Sequence, residues 1–127
     1  MSKVYKRKKV DLEVYRSILY ILWMSAFFLA FLDVKLTYEC LSSLTVDESV
    51  KYKFELSIWV SPVIKYFGVK NAMLLILFSE TLFLTFIFVL PLEGKRDFML
   101  RVIIFLMVIS NHLIGIAGWS RWVFCTT

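Results

Sequence analysis

The stretch AMLLILFSETLFLTFIFVLPL, residues 72–92, decides the fold class, because Glu80 is its only charged residue. About 20 consecutive apolar residues cross the roughly 30 Å hydrocarbon core of a bilayer as one helix. Two further stretches have the same character: SILYILWMSAFFLAFL at 17–32 and FMLRVIIFLMVISNHLIGIAGW at 98–119. The sequence therefore predicts an all-α integral membrane protein with three transmembrane helices.

The composition agrees with this class, because 60% hydrophobic and 17% aromatic residues in a chain of 127 exceed what a soluble domain of this size can bury. We expect a single membrane domain over 1–127, with spans at 17–38, 72–92 and 98–119. The first span extends to residue 38 because Asp33 and Lys35 can snorkel. A cleaved signal peptide is the alternative for this segment, and the absence of a small-residue cleavage site before Asp33 disfavours it.

The positions of basic residues predict the orientation, since cytoplasmic flanks carry the excess of lysine and arginine. Basic side chains concentrate in the tail 1–16 and around the turn between the last two spans, at Lys95, Arg96 and Arg101. We expect the N-terminus to be cytoplasmic, the connection 39–71 and the tail 120–127 to be external, and the membrane to be the cell membrane.

A cluster of four basic residues accounts for much of the tail's charge: Lys6, Arg7, Lys8 and Lys9. The first hydrophobic span begins within ten residues of this cluster. Anionic lipid headgroups are therefore the expected counter-charge, and nucleic acid is not an expected partner.

The external connection carries helical signals. Thr45 and Glu48 have the spacing of a capping box, and apolar residues follow at intervals of four, at Val46, Val50, Phe54 and Ile58. This pattern predicts a short amphipathic helix, with ion pairs Asp47–Lys51 and Lys51–Glu55. Such a helix either rests on the bilayer or forms a docking surface for a larger protein.

A second short helix is expected in the same connection. Ser61 and Pro62 are typical of an N-cap followed by the first helical position, and Gly68 can end the helix.

Glu80 is the centre of the predicted site, because a carboxyl group inside a span costs roughly 2.5–3.5 kcal/mol and normally faces a partner. The short turn near residue 95 predicts an antiparallel hairpin of the last two spans. Glu80 then lies at the depth of Asn111, and Ser79 at the depth of His112. We expect a polar cluster of these four residues, which Asp33 joins if the first span packs against them.

Four interpretations of this cluster remain open. Its hydrogen bonds can serve as ordinary packing contacts between helices, or the cluster can act as a proton relay, as half of a metal site, or as a site completed by another chain. A zinc or copper site within this chain alone is not expected, because the chain has one histidine. We expect no cofactor and no bound metal.

Three residues near the cluster favour close helix packing, because Asn111, Gly115 and Gly118 fall on one face of the third span. Two cysteines are expected on the external side, Cys40 after the first span and Cys125 after the third. They either form a disulfide, if the compartment is oxidising, or remain two free thiols.

A set of scattered residues carries a family resemblance: Asp33-x-x-x-Thr37 closes the first span, Pro62 lies in the connection and Asn111 lies late in the last span. In these positions the chain resembles small uncharacterised prokaryotic membrane proteins, although it has Val60-Ser61-Pro62 where they have Glu-Asn-Pro. That resemblance implies no function. The layout also resembles small supernumerary subunits of respiratory oxidases or copper membrane monooxygenases.

The sequence lacks the recognised signatures of soluble enzymes, including phosphate loops and nucleophile elbows. We therefore expect a non-catalytic accessory subunit that stabilises a larger complex of integral membrane proteins, plausibly of respiratory or oxygenase type. The alternative is a small homo-oligomeric channel, transporter or proton-relay protein that uses Glu80, Asn111 and His112.

Overall fold

The computed structural model describes residues 3–55 and 57–126, apart from the side chains of Tyr5 and of residues 121–126. The described residues form three α-helices and one short 3₁₀ helix, without strands. The α-helices are α1 (Lys3–Ser42), α2 (Val60–Val89) and α3 (Lys95–Thr126), and the 3₁₀ helix is Glu48–Phe54. By length and composition, each α-helix is able to cross a membrane. The prediction of an all-helical chain with three long apolar helices is confirmed.

Helix α1 is longer than a membrane span requires. Its 40 residues contain neither glycine nor proline, and at 1.5 Å per residue they extend about 60 Å, twice the thickness of a hydrocarbon core. The basic tail is therefore a continuation of the helix. The side chains of Lys6, Arg7, Lys8 and Lys9 are all exposed on it.

Helix α2 contains a kink at Gly68, whose φ of 75° is a left-handed value that glycine adopts without steric cost. The segment before the kink corresponds to the second short helix of the predicted connection, although it begins at Val60 rather than at Pro62. The helix ends at Val89, and Leu90 is extended because the following residue is Pro91. The helix therefore ends three residues before residue 92, the end of the predicted span.

The connection differs from the predicted amphipathic helix, because residues Glu48–Phe54 form a 3₁₀ helix. Its N-cap is Asp47 and not Thr45. The Asp47 side chain accepts a hydrogen bond from the Ser49 backbone N–H at 3.0 Å, an Asx-type turn that starts the helix later than the capping box predicts. This hydrogen bond lowers the pKa of the Asp47 carboxyl.

Glu48 joins the connection to α2. Its carboxylate accepts a hydrogen bond from the backbone N–H of Val69, directly after the kink, at 3.4 Å. It also pairs with Lys51 at 2.9 Å, and the Lys51 hydrogen bond lowers the pKa of Glu48. The predicted ion pairs of Lys51 with Asp47 and Glu55 are absent among the described residues, because Lys51 turns towards Glu48 instead.

Helix α1 is the centre of the bundle. It packs along both other helices, whereas α2 and α3 contact each other little. The expected hairpin is therefore antiparallel but loosely packed. Buried Ala26 and Ala30 form a small-residue strip on α1, which the sequence analysis did not single out.

Two apolar cores are built along the bundle. One lies near the turn between α2 and α3, and the other lies near the connection. Their buried members are Leu19, Ala26, Leu84, Ile87, Phe98 and Phe105 in the first core, and Leu41, Ile64, Val69, Ala72 and Met73 in the second. Between these two apolar cores, the helices carry a set of polar residues.

Candidate functional site

His112 of α3 bridges two carboxylates from the other two helices. Its Nδ1 lies 2.8 Å from Oδ2 of Asp33 on α1, and its Nε2 lies 2.7 Å from Oε1 of Glu80 on α2. The histidine is buried, with 4% of its surface exposed. One hydrogen-bonded cluster, Asp33–His112–Glu80, thus connects all three α-helices.

The two short contacts require at least two shared protons in the cluster. Each nitrogen–oxygen hydrogen bond needs one proton, which belongs either to the imidazole or to the carboxyl group. An imidazolium between two carboxylates and a neutral imidazole between one carboxylate and one carboxylic acid both contain two such protons. In both arrangements the cluster carries one net negative charge.

Gly115 makes room for Asp33. A Cβ atom at position 115 would lie 2.6 Å from Oδ1 of Asp33 and 2.7 Å from Oδ2, closer than such atoms approach. The absence of a side chain therefore lets the carboxylate reach His112, one helical turn earlier on α3. Gly118 has nothing within 4 Å of the equivalent position. Of the predicted packing face, Gly115 alone accommodates a close neighbour among the described residues.

A cavity of about 780 Å³ lies beside the cluster, in the gap between α2 and α3. Asp33, Glu80 and His112 all line it. The connection contributes the outer part of its wall, with Phe54, Glu55, Ser57, Ile58 and Trp59. The cluster is thus open to a space large enough for a small molecule, since ligand pockets measure about 300–1,000 Å³.

Thr37 places a hydroxyl group at this cavity. It lies one turn after Asp33 on the same face of α1, and only 5% of its surface is exposed. The structure gives this hydroxyl no hydrogen-bond partner among the described residues. Every fully enclosed side-chain nitrogen or oxygen atom of those residues does have a partner. The Thr37 oxygen therefore borders the open space of the cavity.

Two members of the predicted cluster lie outside it. Ser79 is exposed on α2 and lines a shallow groove on the helix surface. Asn111 is also exposed, and it borders the cavity without bonding to Glu80. Glu80 bonds to His112, one position along α3 from Asn111, the residue predicted at its depth.

The cysteine prediction lies partly outside the described residues. Cys40 is buried near the end of α1. Cys125 belongs to the end of α3, where side chains are not described, so the disulfide stays a prediction.

The hypothesis that the cluster is half of a metal site stays a prediction. Among the described residues, no group of three or more His, Cys, Asp and Glu side chains could hold a metal ion. In the cluster, the two carboxylates lie on opposite edges of the imidazole ring and do not converge on one point.

Arg101 is a buried residue whose role the sequence analysis missed. Its guanidinium donates hydrogen bonds to the carbonyl oxygens of Ile87, Leu90 and Pro91 at 2.7–3.0 Å, and it forms a two-point ion pair with Asp97. These carbonyls lie in the last turn of α2 and directly after it, where no further helical N–H group follows to bond them. Arg101 therefore caps α2 from α3, and the only sequence signal was its spacing of four from Asp97.

In comparisons with known protein families, curated proteins and solved structures, the chain has no match.

Proposed function

We propose that the chain is a three-span membrane protein that takes up and releases protons at the Asp33–His112–Glu80 cluster, as a proton-relay or transport protein. The observation that carries this proposal is the bonding of both ring nitrogens of a buried histidine to carboxylates beside an open cavity. Ionisable residues within spans are costly and typically mark ion pathways.

The chemistry follows from the two nitrogens of the imidazole. A proton from Glu80 enters at Nε2, and the proton on Nδ1 passes to Asp33. The ring then carries its proton on Nε2. Net transport is completed when Asp33 releases its proton, Glu80 takes up another and the ring proton returns to Nδ1. The cluster can therefore move a proton between two helices without a buried charge being left unpaired.

Three helices are too few to enclose a transmembrane pathway, so the active form is a homo-oligomer. The expected orientation places the cavity on the external side, with the N-terminus in the cytoplasm. The connection then covers the entrance to the cluster.

The test is proton flux into liposomes that contain the purified chain. A trapped pH-sensitive dye reports acidification after a potassium diffusion potential is imposed with valinomycin. Wild-type protein should acidify the interior, and Glu80→Gln should reduce the rate at least about tenfold, since the amide does not ionise and cannot act as a proton donor or acceptor in the relay.

Ser79→Ala is the matched control, because Ser79 precedes Glu80 on α2 but is exposed on the helix surface. It should keep the wild-type rate. Gel filtration checks that each variant keeps the wild-type oligomeric size. An unchanged rate in a folded Glu80→Gln protein would contradict the proposal.

An accessory subunit of a larger membrane complex is the second candidate. The supporting observation is the exposure of large apolar side chains around the connection: Ile58 is 77% exposed, Trp59 81% and Tyr66 79%. Native mass analysis after extraction in mild detergent tests it. A stable assembly with other integral membrane subunits would favour this candidate, and a pure homo-oligomer would favour the proton-transfer function.

A further inference from the structure

We infer that the cavity between α2 and α3 binds a lipophilic primary ammonium compound, whose charge is balanced by the Asp33–His112–Glu80 cluster. This inference rests on the two-proton cluster of the proposed function and adds the chemical class of its ligand. The cavity lies against the cluster, and Asp33 and Glu80 both border it.

The net negative charge of the cluster favours a cationic ligand. With the two shared protons and no further proton on either carboxyl group, the three side chains carry one net negative charge. Within the described part of the chain, no lysine or arginine side chain lines the cavity. A cationic ligand would cancel the charge that otherwise makes the buried carboxylates costly.

Hydrogen-bond acceptors at the cavity indicate a cation with N–H groups. Thr37 borders it with a buried hydroxyl group that has no partner in the described part of the protein. Asn111 borders it with an amide. An ammonium group can donate to these two residues and to Glu80, whereas a quaternary ammonium group cannot donate to any of them.

The remainder of the cavity wall is suited to an apolar body. Aromatic and aliphatic side chains form most of it: Phe54, Ile58, Trp59, Met73, Ile76, Ile114 and Trp119. Ile58, Trp59 and Ile114 are also largely exposed, so this apolar wall continues to the outer surface of the bundle. An amphiphilic amine can therefore enter with its apolar part along this surface and its ammonium group towards Glu80.

Calorimetric titration of the full chain in lipid nanodiscs tests this inference. The probes are 2-phenylethylammonium, its neutral analogue 2-phenylethanol and the anion 3-phenylpropionate, each corrected for uptake by empty nanodiscs. The ammonium compound should bind saturably, at least about tenfold more tightly than either analogue, because it alone forms charge-assisted hydrogen bonds.

Three substitutions locate the binding site. Thr37→Val keeps the shape of the side chain but removes the hydroxyl, and should weaken ammonium binding about fivefold. Thr37→Ser keeps the hydroxyl and should bind like the wild type. Ser79→Ala, on the outer surface of α2, should also bind like the wild type.

The outcomes separate this inference from the proposed function. Proton flux without ammonium binding to the wild-type protein would overturn the inference and leave the proposed function standing. Ammonium binding without flux would support the inference and count against the proposed function. Equal binding of all three probes, or a helix of another copy occupying the cavity, would overturn the inference.

Discussion

Among the described side chains of helix α3, two basic ones are buried, Arg101 and His112, and their surroundings differ. Arg101 is surrounded by three carbonyl oxygens at the end of α2 and by Asp97, all within 14 residues along the chain. His112 instead joins Asp33 and Glu80, which are 79 and 32 residues away, and it borders a cavity.

This difference separates a structural ion pair from a candidate functional one. The partners of Arg101 are fixed by the turn itself, so the guanidinium completes the hydrogen bonding of a helix end. The partners of His112 meet only when all three helices are assembled, and each carboxylate retains an oxygen that does not bond to the imidazole. Removal of Arg101 should therefore affect stability, whereas changes at the His112 cluster should affect proton transfer most.

Arg101→Met is expected to have the largest effect on stability. It leaves three carbonyl oxygens and Asp97 without their partner, and should lower the free energy of unfolding by about 3 kcal/mol. Unfolding of the purified protein in mixed detergent micelles measures this change. Arg96→Met, at an exposed neighbouring arginine, should change the same quantity by less than about 0.5 kcal/mol. Equal effects of the two substitutions would remove the distinction between the two regions.

Gly115→Ala should have the next largest effect. The new methyl group would overlap the Asp33 carboxylate, and overpacking of this kind costs about 2 kcal/mol. Gly118→Ala is the matched control, because the same methyl group meets open space there. Thermal unfolding of the two variants compares them, and Gly115→Ala should also slow proton flux. If it unfolds and transfers protons like Gly118→Ala, the close approach of Asp33 to α3 is incorrect.

Thr85→Val should have a smaller effect. Trp23 Nε1 donates to the Thr85 hydroxyl at 3.3 Å between α1 and α2, and such bonds between spans contribute about 0.6 kcal/mol. A double-mutant cycle with Trp23→Phe in mixed micelles isolates the interaction. Proton flux should be unaffected, because this bond lies in the core near the turn. A loss of flux would show that the two halves of the bundle are coupled.

Asp47→Ala should have the smallest effect, confined to the connection. The Ser49 amide loses its acceptor, so its hydrogen exchange should accelerate. In the wild type, the pKa of Asp47 is lowered, so the stabilisation by its ionised carboxylate is fully present above the unfolded pKa of about 3.9. This stabilisation is lost as the pH falls through the lower pKa of the folded state. Exchange measured by NMR across this pH range should show the change, and a protection independent of pH would exclude the Asp47 cap.

The fold could be predicted from the sequence where the length of an apolar stretch defines a helix and where a glycine interrupts one. Three apolar stretches predicted the three α-helices, and Gly68 predicted the position of the kink in α2. Helix α2 ends before Pro91, whereas the predicted span continues to residue 92 because hydropathy alone continues to that residue. The helical continuation of the basic tail was also missed, because exposed lysines and arginines are compatible with either a tail or a helix.

The site could be predicted only in part. Helix depth brought Glu80 and the 111–112 pair together, and Asp33 was included on the condition that α1 packs against them. Depth does not define rotation about the helix axis, so Asn111 and His112 could not be distinguished in this way. The role of Arg101 depends on backbone carbonyl positions, which side-chain patterns do not encode.

The NMR spectrum of the protein labelled with ¹⁵N at histidine tests the Asp33–His112–Glu80 cluster directly, since the chain has one histidine. Both ring nitrogens of His112 should be hydrogen-bonded to carboxyl groups. Asp33→Asn should then shift mainly the Nδ1 signal, and Glu80→Gln mainly the Nε2 signal. A ring nitrogen that exchanges freely with water, or signals that neither substitution shifts, would contradict the bridged cluster on which the proposed function depends.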